Sequence, residues 1–150
     1  MVKRRSNMRI TNAAEYAIRA ILHMGQNPNK VYTVKELLLE ITDIPSKFLS
    51  KILQRLAQKK ILSSTRGIKG GFKISKPLNE ITLYDIVETI DGPIALNKCL
   101  IDGFDCSRKQ LCPVHIIWEE TQEELKKVLS KKTIEDLIEE IKQKNIQNLY

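Results

Sequence analysis

The segment from Thr33 to Gln58 narrows the fold more than any other, because it encodes two short helices and the break between them. Thr33 and Glu36 form a T-x-x-E box, in which each side chain satisfies a backbone N–H left open at a helix start. Leu37, Leu38 and Ile41 follow, and Asp43-Ile44-Pro45 ends the helix. Past the proline, Leu49, Ile52, Leu53 and Leu56 recur at helical spacing and predict another helix facing the same core. Two short helices with so brief a connection have the length of a helix-turn-helix.

The flanks fit that unit. Ala13, Tyr16, Ala17, Ala20, Ile21 and Met24 predict an amphipathic helix between Ile10 and Gly25, closed by Gly25 and Pro28. Ile61–Thr65 and Phe72–Ser75 are β-prone runs on either side of Arg66-Gly67-Ile68-Lys69-Gly70-Gly71. They predict a hairpin with a basic tip, its glycines permitting positive φ. Thr82 and Asp85 cap a further helix through Ile90, closed by Gly92-Pro93. Pro113 opens a long helix, since a proline at the first helical position loses no needed N–H. Its apolar stripe is Val114, Ile117, Trp118, Leu125 and Val128, with Thr121 between. A Thr133 cap leads to a last amphipathic helix bearing Ile134, Leu137, Ile138 and Ile141, and the tail 142–150 is expected to fray. The expected fold is mainly α with a small β hairpin: a winged helix-turn-helix followed by a long helix.

Charge separates the two halves. Residues 1–76 hold 16 Lys/Arg against 4 Asp/Glu, whereas residues 77–150 hold 9 against 14. A basic half suits a phosphate backbone, where binding releases counterions, and the acidic half should face away from it. Opposite the apolar stripe of the helix after Pro45 lie Ser46, Lys47, Ser50, Lys51, Gln54 and Gln58, donors for phosphates and base edges. Arg66, Lys69 and Lys73 of the hairpin stand beside them as a wing would. The competing reading is an ordinary solvated helix face; helix-turn-helix length, basic hairpin and charge asymmetry together favour double-stranded DNA. No apolar run nears the ~20 residues of a membrane span, and no apolar signal stretch follows the basic start. A cytoplasmic location is expected.

The chain has three cysteines, Cys99, Cys106 and Cys112, and His115 follows the last by three residues. In the cytoplasm such a cluster points to metal binding or redox chemistry more than to disulfides. Thiolates with an imidazole suit zinc or an iron–sulfur cluster. Cys112 and His115, at i and i+3 of a helix start, can point to one side, and Gly103 lets the loop carrying Cys99 and Cys106 fold back. Three thiolates leave one cluster position for His115, another residue or solvent. Zinc sites with these donors usually use shorter C-x2-C steps than occur here. A thiol enzyme with Cys112 as nucleophile and His115 as base lacks any accompanying oxyanion-hole or substrate-pocket motif, so no enzyme and no small-molecule substrate are expected. His23 reads as structural.

Several segments together resemble a known group. These are Met8-Arg-Ile-Thr-Asn-Ala-Ala-Glu-Tyr-Ala-Ile, Phe48-Leu-x-x-Ile-Leu-x-x-Leu56, Ser64-Thr-Arg-Gly-Ile-Lys-Gly-Gly-Phe72 and Cys99…Cys112-Pro-Val-His115-x-x-Trp118. Over residues 8–130 the chain resembles the IscR/NsrR iron–sulfur repressors of the Rrf-type winged-helix family. The resemblance implies a homodimer, a near-palindromic operator, and a cluster held by the three cysteines, 2Fe–2S with 4Fe–4S as the alternative. IscR-like members imply His115 as fourth ligand; NsrR-like members imply an acidic residue of the other subunit, which here is Glu15. Arg66 and the start of the recognition helix would meet DNA, and Ile117, Trp118, Leu125 and Val128 would form the dimer interface. The first cysteine interval, x6, is longer than the family pattern. The expected organisation is a DNA-binding domain at 1–92 with a basic arm at 1–7, a cluster-binding loop at 93–112, and dimerisation and C-terminal helices at 113–150. The expected function is a transcription regulator, of repressor type, that senses cluster status, redox or nitrosative stress. A zinc regulator and an iron–sulfur scaffold that does not bind DNA are the alternatives.

Overall fold

Thr11 starts the first helix, α1 (Asn12–Gly25): its hydroxyl accepts from the Ala14 N–H at 3.2 Å and donates to the Asp91 carboxylate. The computed structural model describes residues 10–144, so the basic arm at 1–7, the Met8-Arg9 start of the resemblance and the tail beyond 144 lie outside the described residues. Helix α2 (Val34–Glu40) carries the expected capping box. The Thr33 hydroxyl accepts from the Glu36 N–H at 3.1 Å, and the Glu36 carboxylate accepts from the Thr33 N–H at 2.7 Å. Those bonds from Thr33, backbone first, hold the Glu36 carboxyl below its ordinary value. Asp43 then takes φ 65°, a left-handed turn that aspartate tolerates better than bulkier residues. Helix α3 (Ser46–Gln58) follows Pro45 with Leu49, Ile52, Leu53 and Leu56 all buried.

Strands β1 (Leu62–Thr65) and β2 (Gly71–Ile74) pair antiparallel, from Leu62 opposite Ile74 to Thr65 opposite Gly71. Tyr32 adds a bridge on the other side of β2, exchanging two backbone bonds of 2.8 Å with Phe72. Only one of the three turn glycines serves the purpose expected of it. Gly67 has φ +110°, whereas Gly70 and Gly71 are needed because other backbone passes close by. A Cβ on Gly70 would lie 2.3 Å from the Thr65 carbonyl oxygen, and one on Gly71 would lie 2.4 Å from that of Tyr32.

Helix α4 (Leu83–Asp91) has a second capping box, Thr82 with Asp85, and ends at Gly92 with φ +86°. Arg55, near the end of α3, donates from Nη1 to the carbonyl of Ile90 at 2.8 Å. Helix α3 is thereby tied to the last turn of α4, after which the cysteine loop departs. Helix α5 (Pro113–Ser130) is followed by α6 (Ile134–Gln143) after a turn capped by Thr133.

Helix α6, which the sequence pattern groups with the dimerisation helix, packs on α1 and completes the core of the winged unit. Ile134 and Ile138 are buried, and a Cβ at Gly25 would come within 2.5 Å of Ile138 Cδ1. The Ile134 N–H donates to the Ile81 carbonyl at 2.7 Å, beside a bridge between Thr82 and Thr133. An amphipathic stripe states that a helix must bury one face, not which surface covers it. The helix also runs through Gln143, slightly into the tail expected to fray. Among the described residues no helix is long and apolar enough to cross a membrane.

Candidate nucleic-acid interface and metal centre

Ser46, Lys47, Lys51, Gln54 and Gln58 are exposed along the outer face of α3, with Ser50 half-buried among them. The apolar stripe anchors α3 from behind, so these side chains face solvent. Gln54 and Gln58 share a groove of about 760 Å³ with Thr33, Thr65, Arg66 and Phe72, lying between α3 and the wing. Lys69 is exposed at the wing tip, next to Ile68, which is wholly exposed. Lys73 is half-buried opposite Ser63 and does not line the groove. Donors on a helix and a guanidinium on a hairpin, a groove apart, suit adjacent grooves of a duplex.

His23 has the structural role expected of it. Its Nε2 lies 2.5 Å from Glu40 and its ring packs edge-on against Tyr32, joining the ends of α1 and α2. Arg55 and the Tyr32–Phe72 bridge are positioning features that sequence reasoning missed, because neither bears a local signature.

The loop between α4 and α5 brings the three cysteines and His115 around one cavity. Asn97 opens a 3-10 turn, Lys98–Leu100, by accepting from the Lys98 N–H at 2.7 Å, and this turn carries Cys99. Gly103, at φ +80°, reverses the chain. Cys106 begins the next turn, its carbonyl accepting from the Lys109 N–H at 3.0 Å. Cys112 stands at the N-cap position of α5, and its carbonyl accepts from the His115 N–H at 3.1 Å, placing both on the first turn. The loop is held to α5 by the Gln122 side chain, which accepts from the Leu96 N–H at 3.2 Å.

The cavity measures about 360 Å³, and its lining includes Cys99, Cys106, Cys112 and His115 together with Phe104, Val114 and Trp118. Lys98, Arg108 and Lys109 also line it, supplying cationic charge beside the thiols. All three cysteines are unpaired and half-buried. His115 is only 5% exposed, and neither ring nitrogen has a hydrogen-bond partner. Its Nε2 lies 3.0 Å from Glu119 Oε1, but out of line for a hydrogen bond. A buried imidazole left without partners is costly unless something else takes its lone pair or proton. Soft sulfur donors, an orphaned imidazole and nearby cations fit an anionic iron–sulfur cluster. Among the described residues, however, no three His, Cys, Asp or Glu side chains converge closely enough to grip a metal ion. Glu15, on α1, is bonded to Arg19 at 2.5 Å and does not line this cavity.

The stripe on α5 divides between two faces. His115, Trp118, Gln122 and Leu125, at steps of three and four, are its more buried positions. Ile117 and Val128, 59% and 66% exposed, lie on the outer face with Val114 and Thr121. Trp118 thus walls the cysteine cavity, while the outer apolar strip is left uncovered by the described residues.

The family model for Rrf2, an iron-dependent transcriptional regulator, matches residues 10–140. The HTH-type transcriptional regulator IscR of Klebsiella pneumoniae (strain 342) is 25% identical over 131 residues, covering 87% of this chain and 80% of that protein. Two solved structures share the fold. CymR (YrzC), the global cysteine regulator of B. subtilis, superposes with a TM-score of 0.68 at 19% identity, over 89% of this chain and 98% of that one. T. potens IscR superposes with a TM-score of 0.66 at 18% identity, over 96% and 94%.

Proposed function

The chain belongs to the Rrf2 family of transcriptional regulators, and we propose that it controls transcription through an iron–sulfur cluster, 2Fe–2S in type, held by Cys99, Cys106, Cys112 and His115. The observation that carries this reading is the shared cavity into which three free thiols and a partnerless buried imidazole are gathered. When bound, the cluster supplies a redox-active iron centre that oxidants or nitric oxide can destroy. The remaining work falls to the chain. The cysteines close the loop 93–112 on itself, Phe104 and Trp118 limit water, and Lys98, Arg108 and Lys109 offset negative charge. Because Arg55 ties α3 to the carbonyl of Ile90, ordering that loop also orders the base of the recognition helix. Ser46, Lys47, Ser50, Lys51, Gln54, Arg66, Lys69 and Lys73 then contact a near-palindromic operator as a homodimer closes over the outer strip of α5. The regulator acts in the cytoplasm as a repressor.

Protein purified without oxygen should be coloured and contain iron and acid-labile sulfide, and Cys99→Ala, Cys106→Ala or Cys112→Ala should each bleach it. Colourless protein with stoichiometric zinc would replace the cluster by zinc. A second reading, direct thiol oxidation, is favoured by cysteines that stay half-buried and unconverged. It predicts colourless, metal-free protein whose DNA affinity changes on treatment with peroxide and returns with a dithiol.

A further inference from the structure

His115 presents an unresolved chemical problem. Both ring nitrogens are buried without a hydrogen bond, yet a carboxylate oxygen of Glu119 stands 3.0 Å from Nε2. Glu119 is one helical turn beyond His115, so the helix itself sets their separation. Its carboxylate is 53% exposed and free to turn into line, while the imidazole is fixed in the wall of the cysteine cavity. Glu119 also lines a neighbouring cavity of about 430 Å³ that includes Cys99, so it stands between the two spaces.

We propose that Glu119 is the positioning residue for His115: it takes the Nε2–H and leaves Nδ1 as the nitrogen offered to iron. The inference rests on the cluster reading above. Histidines that bind metal commonly donate their second ring N–H to a carboxylate, which fixes ring orientation and tautomer and strengthens the donor nitrogen. The protein thereby gains a geometric choice of one nitrogen over the other. No hydrogen-bonding group competes for Nε2 among the described residues. The glutamate also places negative charge against the ligand, which favours the oxidised cluster over the reduced one.

The test uses the full chain, labelled with 15N-histidine, reconstituted without oxygen from ferrous iron and sulfide, and reduced with dithionite. Pulsed electron paramagnetic resonance reads the histidine nitrogen coupling, and a redox titration reads the potential. Glu119→Leu, which removes both the acceptor and the charge, should alter the coupling and raise the potential. Glu123→Gln, which removes the same charge one turn further along in the lining of the neighbouring cavity, should leave the coupling unchanged. Glu119 is largely solvent-facing, so both variants should fold, as circular dichroism would confirm. Equal coupling in wild type, Glu119→Leu and Glu123→Gln would overturn the proposal while leaving the cluster in place. A coloured wild type without histidine nitrogen coupling would also overturn it, and would move the fourth ligand elsewhere. Colourless wild-type protein would overturn the cluster reading and this inference with it.

Discussion

Replacing Gly71 by alanine would strike the contact that fixes the wing to the body. The new Cβ would stand 2.4 Å from the Tyr32 carbonyl oxygen, where 3.4 Å is an ordinary contact. The neighbour is backbone and has no rotamer to change. The strands must therefore separate by about 1 Å, which stretches hydrogen bonds beyond useful range. The two at risk are the 2.8 Å bonds between Tyr32 and Phe72. At about 1 kcal/mol net each, their loss costs about 2 kcal/mol, offset by about 0.5 kcal/mol from the reduced freedom of alanine in the unfolded chain. The balance shifts wing attachment by a factor of about 5–30. Hydrogen exchange at the Tyr32 and Phe72 amides should accelerate by that factor. Affinity for an operator duplex should fall as Arg66 loses its fixed place beside Gln54 and Gln58. Unchanged exchange at both amides would refute the argument, since it would mean the chain accommodates a methyl group where the backbone leaves no space.

Arg66→Ala should weaken binding to operator more than to random duplex, whereas Lys69→Ala should weaken both alike and lower the salt slope by about one, as gel shifts at several ionic strengths would show. Ile138→Ala should cost about 2–5 kcal/mol by cavity formation at the α1–α6 contact; a loss below about 1 kcal/mol in urea denaturation would place α6 outside the core. Glu36 and Asp136 are each held below their ordinary values of 4.5 and 3.8, first by backbone and then by side-chain bonds from Thr33 and Thr133. Their folded values being depressed, the stability they contribute is complete above the ordinary values and lost as pH falls through the lowered ones. Glu36→Gln and Asp136→Asn should therefore flatten the acid limb of the stability profile.

Features that announce themselves locally are legible in the sequence. The Thr33–Glu36 and Thr82–Asp85 caps depend on residues three apart, and the α3 stripe depends on helical period alone. Cys99, Cys106, Cys112 and His115 line one cavity, but their chemistry and spacing do not say whether they converge on a metal. The partner of α6 was not, because nothing in Ile134 or Ile138 specifies Gly25 across more than 100 residues. Nor could Gly71 be distinguished from Gly67 without knowing that Tyr32 passes beside it. Trp118 and Ile117 are adjacent in the pattern but turn to different sides, a distinction that emerges only once the body covers one of them. Glu119 lies four residues from His115, but helical spacing alone does not show that the ring beside it is unsatisfied.

Helix α5 (Pro113–Ser130) is about 27 Å long and is fastened to its own body at its middle and beyond its far end. Gln122 holds the loop before it, and the turn after it runs directly into the Thr82–Thr133 bridge and the Ile134–Ile81 bond. A beam held at its middle and at one end resists bending far better than one held at a single point. If two copies join along this beam, the separation and phase of their recognition helices become properties of a rigid frame. Inserting a single base pair between operator half-sites turns one of them by about 35° around the duplex axis. A hinged pair of readers could follow that rotation, but a braced pair cannot, so such a frame measures the distance between half-sites as strictly as its side chains read their bases.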